Sequence, residues 1–482
     1  TGVQTCALPI SDTVGVFQIE SRAQMSMLPR LKPTKFYDLV VEVAIVRPGP
    51  ISGGMVHPYL KARERNRKGE AIAYERSRYE SPDKPARLQA TLSRTLGIPI
   101  FQEQVMEISM VAAGFTGAEA DGLRRAMAAW KRTGDMKSWR ERLVGGMLAN
   151  GYDLSFAERI FEQVKGFADY GFPESHAYSF ALLAYESSWL KCHEPECFLA
   201  AMLNSQPMGF YTPSQLIQDA TRHGVQVLPP DVSHSSWDST LEQSAVRLGL
   251  RLVGSFSEAA GKRIEDARRE GGPFTSTEDL SQRAQLDVRD LNALAAGDAL
   301  KSLSGHRRQQ VWDAAALKPA PALLKGIPID EDALLLPAAE EGEEVVFDYA
   351  SLGLSLRSHP LALVRSALNT QKLLTAAQLA SLPHGRLVRA CDLVTMRQRP
   401  QTAKGVIFIT LEDETGSVNV IVWKAVRERF RQEVYHARLL AVYGVWQRDE
   451  ESGGQVRHVI AKRLVDMTPL LGGLATTSRD FH

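Results

Sequence analysis

The chain's 482 residues are enough for about three domains, and 44% hydrophobic with 23% charged residues describes an ordinary folding sequence. No run approaches the roughly 20 apolar residues of a membrane span, and no secretory signal is evident. Four cysteines suggest no disulfide framework, so a reducing cytoplasm is expected, and a net charge of +1 excludes bulk attraction to a polyanion. Charge is nevertheless unevenly spread: residues 61–68 (KARERNRK) are a basic run a polyanion would meet, and residues 330–348 hold eight acids with no Lys or Arg.

In chain order, Phe17 and Ile19 are expected in a core, with Gln18 and Glu20 facing elsewhere. Arg47-Pro-Gly-Pro50 reads as a rigid turn, because proline fixes φ twice and glycine takes the conformation that remains. Arg47, displayed at the end of an apolar run, serves either a phosphate or a structural contact. Residues 70–92 are charged and weakly patterned, an exposed insertion.

Residues 97–132 carry the clearest pattern. A first helix over 102–113 places Val105, Ile108 and Ala112 on one apolar face. Gly114-Phe-Thr-Gly117 breaks it, and Thr116 with Glu119 three residues on forms a capping box for a second helix. That helix gathers Arg124, Arg125, Lys131 and Arg132 on one side. Such a side is either a solvated basic face or a polyanion site, since the planar guanidinium fork suits phosphate. Ser155 and Glu158 read as another capping box, opening a helix to about residue 167. Ser175 is expected to cap a long apolar helix running to about residue 190, not to act as a nucleophile with the adjacent His176. Cys192, His193 and Cys197 fit no zinc spacing and lack a fourth ligand, so no metal site is expected.

Beyond Pro229-Pro230 the composition shifts, and residues 250–308 look like a degenerate tandem helix-hairpin-helix module, a unit that aims amides at duplex phosphates. Ser255-Phe-Ser257 stands where Gly-apolar-Gly is usual, with Gly254 one place early. Residues 319–344 form a Pro/Ala/acid-rich linker in which Asp330-Glu-Asp332 reads as a solvated loop. Five strand signals follow, at 387–394, 406–411, 418–423, 439–446 and 456–460, with a helical stretch between the third and fourth. That is the order of an OB-fold. Phe408 and Trp423 serve either as base-stacking platforms or as barrel core, and Arg397, Arg399 and Lys404 in the first loop as phosphate contacts.

Six blocks, in one order from residue 12 to residue 191, resemble the fingers of the bacterial C-family DNA polymerases, the polymerase III alpha-subunit family. They are DTVGVFQIES (12–21), RPGP (47–50), FQEQVM (101–106), LRRAM (123–127), YGF with Ser175-His176, and WLK (189–191). Residues 1–10 have no counterpart before the first block and read as foreign to it. The resemblance implies that Arg124 and Arg125, with Lys131 and Arg47, bind the triphosphate of an incoming dNTP. Gln102, Gln104, His176 and Gly254 would contact primer-template DNA. Ala128-Ala-Trp-Lys131, Pro173-Glu174, Gly353-Leu-Ser-Leu356 before His359-Pro360, and the missing clamp-binding peptide are most like the error-prone translesion branch.

The expected architecture is multidomain and mainly α. An unmatched segment (1–10) precedes helical fingers (11–230), a helix-hairpin-helix module (231–318), a linker and connector (319–385), a small β-barrel OB-fold (386–470) and a tail (471–482). The resemblance places no catalytic residue in this stretch. Mg²⁺ would be held by palm carboxylates encoded upstream. The partners implied are primer-template DNA, dNTPs, single-stranded template, accessory translesion proteins and, indirectly, the sliding clamp, with no membrane. A replicative alpha-subunit fragment and a non-catalytic DNA-binding scaffold are the alternatives.

Overall fold

The computed structural model describes residues 8–47, 55–133, 137–166, 172–317, 335–400, 403, 405–450, 452–476 and 478–481. The chain divides into two compact units: one is residues 1–192 with 450–455, the other residues 193–449 with 456–482. No helix among the described residues is long and apolar enough to cross a membrane.

The first unit is helical: α1 (Arg22–Leu31), α2 (Phe36–Ile45), α3 (Val56–Arg67), α4 (Arg87–Leu92), α5 (Gln102–Ala113), α6 (Gly117–Thr133), α7 (Lys137–Ala149), α8 (Leu154–Gly166) and α9 (Glu174–His193). It has two cores. Val105, Ile108 and Ala112 of α5 join Leu123, Met127, Leu143, Met147 and Ile160 in one. Leu28, Val40, Ile45, Tyr59, Phe172 and Ala181 share the other. The predicted Thr116 cap is formed: Glu119 N donates to Thr116 Oγ1 at 3.3 Å, and Thr116 N donates back to Glu119 Oε2 at 2.8 Å.

Three local expectations change. Phe17 is exposed while Val16 and Ile19 are fully buried, because Gln18 adopts φ 65° and breaks the alternation. Neither Ser155 nor Ser175 is a cap. Both lie inside their helices, and Glu103 Oε2 accepts the Glu174 N–H at 3.0 Å at the start of α9. The basic run on α3 is largely spent within the chain. Arg63 is buried and doubly bonded to Asp38 at 2.8 and 2.7 Å, while Arg65 pairs with Glu70 and Lys68 with Glu64.

The second unit opens with α10 (Pro195–Asn204) and α11 (Pro213–Arg222). A small sheet follows, of β1 (Gln226–Leu228), β2 (Thr240–Glu242) and β3 (Ala245–Arg247), ordered β1-β3-β2. The helix-hairpin-helix module comprises α12 (Glu258–Gly271), α13 (Thr277–Arg283), α14 (Val288–Ala296), α15 (Lys301–Ser304) and α16 (Arg307–Ala316) around Leu250, Phe256, Ile264, Leu291 and Leu294. Within the stretch read as linker and connector, residues 335–385 hold three helices: α17 (Glu341–Ser351), α18 (Pro360–Thr370) and α19 (Ala376–Ala380). Asp330-Glu-Asp332 lies outside the described residues.

The barrel consists of β4 (Leu387–Gln398), β5 (Ile407–Asp413), β6 (Gly416–Val422), helices α20 (Lys424–Arg429) and α21 (Arg431–His436), then β7 (Leu439–Arg448) and β8 (Arg457–Asp466), with β9 (Arg479–Phe481) beside β4. The order β5-β6-β8-β7-β4 closes through β4–β5, giving the five-stranded OB-fold circuit. Val345, Leu361 and Leu368 of the connector share a core with Cys391, Leu393 and Leu439 of the barrel.

Buried charge ties the connector to the hairpin module. Arg307 of α16 meets Glu344 at 3.0 Å and also Asp348, while Arg357 bridges Asp298 at 2.8 Å and Glu344 at 2.9 Å. Removing one partner of such a buried pair typically costs about 3–5 kcal/mol.

Candidate nucleotide and nucleic-acid interface

Helix α6 is held by its capping box and by Leu123 and Met127, both buried in the core. Residues three and four apart share a helix face, and this brings Arg124 and Arg125 to one carboxylate. Arg124 Nε and Nη2 donate to Asp121 Oδ1 at 2.9 and 2.8 Å, and Arg125 Nη2 donates to Oδ2 at 2.7 Å. The hydrogen bond from Arg124, with the charge of Arg125, holds the Asp121 carboxyl below its ordinary range. Arg125 remains 71% exposed, so its remaining donors face water. Lys131 lies on the same helix, with its side chain outside those described.

A second group gathers around the buried Phe172 ring. The Arg47 guanidinium sits 4.6 Å above its centroid, and the exposed His176 ring meets its edge at 5.1 Å. Gln102 N donates to Phe172 O at 3.3 Å. Arg47, Gln102 and His176, far apart in sequence, are thus neighbours.

Gln104 is not part of this group. Its Oε1 accepts from Ile100 N at 2.9 Å and Phe101 N at 3.1 Å, and its Nε2 donates to Thr91 O and Thr95 Oγ1 at 3.0 and 2.7 Å. A fully buried amide with four bonds made has nothing left for DNA. Gly254 is likewise committed. Its N–H donates to Ser351 O at 2.7 Å, and a Cβ there would stand 2.7 Å from the same oxygen. The glycine admits the connector, not a phosphate. One residue on, Ser255 takes the left-handed φ of 63°, Phe256 is buried and Ser257 caps α12, so the hairpin turn itself is kept.

On the barrel, Arg397 is a further correction. β4 continues past the predicted loop boundary, and an irregularity between Val394 and Met396 shifts the register, so Arg397 is buried. Its Nε donates to Val434 O at 2.7 Å, and its Nη atoms reach Ala437 O and Ser478 Oγ. Arg399 is exposed just beyond the strand, and Lys404 lies outside the described residues. Ile409, Val420 and Val422 fill the barrel core, which turns Phe408, Ile421 and Trp423 to the outer face. Phe408 pairs with Ile421 in register, and Trp423 is 52% exposed. The structure therefore brings the two aromatics to one side of the barrel.

Three family models match the chain: the finger domain of the bacterial DNA polymerase III alpha subunit over residues 7–151, a helix-hairpin-helix motif over 224–310, and an OB-fold nucleic acid binding domain over 388–465. Over residues 7–151 the chain is thus similar to the finger domain of the bacterial DNA polymerase III alpha subunit. Among similar curated relatives, proteins named error-prone DNA polymerase from Burkholderia pseudomallei and Ralstonia nicotianae are each 57% identical over 98% of the chain. One of that name from Bordetella bronchiseptica is 56% identical over the same share. The chain spans 44% of the length of each.

Proposed function

We propose that this chain is part of an error-prone DNA-directed DNA polymerase of damage-induced translesion synthesis, in which it grips the incoming dNTP and the primer-template. The observation that carries the reading is the Arg124–Arg125 pair, aligned on the capped helix that the finger-domain model covers. Arginine forks bind phosphate oxygens in parallel pairs. The outward aromatics of the barrel supply a surface on which unpaired template bases stack.

Nucleotidyl transfer in such an enzyme uses divalent metal, and Mg²⁺ is the ion the resemblance implies. Within neither unit do three ligand-type side chains of described residues come close enough to hold an ion. No transfer step is assigned to the described residues. Sliding-clamp and accessory-protein contacts belong to the same reading of the whole enzyme, which acts in the cytoplasm.

The test is made in the whole polymerase. A charge-assisted contact is worth about 1.5–3 kcal/mol, so Arg125→Ala is expected to raise the dNTP KM, or lower kcat, roughly 10- to 150-fold. Primer-template affinity should stay constant, and Arg125→Lys should rescue in part because an ammonium lacks the fork. Lost DNA affinity with normal dNTP dependence would move these arginines to the template backbone.

A further inference from the structure

Helix α9 is built the wrong way round for a surface helix. Its inward face is small, with Ala177, Ala181 and Ala184 completely buried. Its outward residues are large and apolar: Tyr178 is 51% exposed, Leu182 46%, Leu183 45%, Trp189 41% and Leu190 43%. At about 100° per residue, Tyr178, Leu182 and Trp189 fall within one narrow stripe, and Leu183 and Leu190 within a second beside it. Between them lie Ser175, Ser179, Glu186 and His193. A surface helix ordinarily turns its large apolar residues to the core, and α9 does the reverse along these two stripes.

We infer that the outer face of α9 is a docking surface for the remainder of the polymerase chain, the part its relatives carry beyond the segment matched here. The inference rests on the reading that this chain is part of a longer polymerase. Two observations choose the occupant. The chain spans 44% of its relatives' length, so more than half of such a protein is available to cover the face. The face carries an acid, Glu186, and no Lys or Arg, which disfavours both nucleic acid and an anionic lipid surface. An apolar partner surface of the same chain meets both conditions, and contiguous apolar exposure of this kind marks an interaction site.

The experiment compares one position in two contexts. Leu182→Cys and Leu190→Cys, both at exposed positions, are introduced into the 482-residue chain. They are also introduced into the whole Burkholderia pseudomallei polymerase carrying this chain in place of its matching segment. Maleimide labelling is read peptide by peptide, with Arg269→Cys on exposed α12 as the control. Labelling at 182 and 190 is expected to slow about tenfold or more in the whole protein, with the control unchanged and Arg125→Ala without effect. Equal rates in both contexts would overturn the inference. So would protection that already appears in the 482-residue chain as its concentration rises, since a second copy would then be the occupant. Slow labelling combined with a normal dNTP KM for Arg125→Ala would leave the docking surface standing and remove the nucleotide assignment.

Discussion

Asp121 offers Arg124 and Arg125 the same acceptor geometry a phosphate would, so on the proposed reading it is both a brace and a competitor. Magnitudes decide which matters. An exposed ion pair holds about 0–1 kcal/mol, so the brace is weak. A unit charge about 4 Å from each phosphate charge repels it by about 1 kcal/mol even in water, and a triphosphate carries several. Asp121→Asn is therefore expected to tighten dNTP binding about three- to tenfold, measured by nucleotide titration of the whole polymerase. A weaker or unchanged Kd would make Asp121 a brace. Gln102 and Gln104 show what a sequence hides at this scale. They are two positions apart on α5, yet only Gln104 is closed into the interior. Its fate depends on Thr91 of α4 and Thr95 in the turn that follows, which periodicity cannot orient.

Among elements, the barrel was the most legible. Alternating apolar positions predicted its five strands, and the outward parity of Phe408 and Trp423 follows from that same alternation. What alternation cannot show is a register shift, which is why Arg397 read as a loop cation. With Trp423 exposed on the side of the barrel to which Phe408 also turns, Trp423→Ala should weaken single-stranded DNA binding by about 1–3 kcal/mol and leave duplex binding nearly unchanged. Fluorescence anisotropy with short oligonucleotides checks this, and an unaltered single-strand affinity would make the ring a bystander. The inner face of β4 holds a different kind of residue. Asp392 is fully buried and neither oxygen has a hydrogen-bond partner. Burial, then the nearby charge of Asp413, pushes its carboxyl far up, against the opposing pull of Arg365. The folded protein thus keeps a proton that the unfolded chain releases above about pH 4, so stability falls as pH rises beyond that point. Asp392→Asn removes this slope. Its gain in unfolding free energy over wild type should be larger at pH 8 than at pH 4.5 by about 1 kcal/mol or more. Denaturant titrations at the two pH values test it, and a pH-independent difference would show that Asp392 ionises in the fold.

Across the whole molecule, the order of fingers, hairpin module and barrel was readable from the six blocks that resemble a known family, the hairpin pattern and the barrel's alternation. The connector was not. Its acids looked like a solvated linker, and only the fold reveals that Glu344 and Asp348 are half of a buried ionic knot whose other half, Arg307 and Arg357, comes from residues outside that acidic stretch. That knot has a geometric consequence. It joins the hairpin module to the connector, which shares a core with the barrel in the same compact unit, and a hinge between module and connector would have to break buried charge pairs to open. On the proposed reading, the separation between the hairpin turn and the outward aromatics of the barrel becomes a fixed gauge length set by the protein.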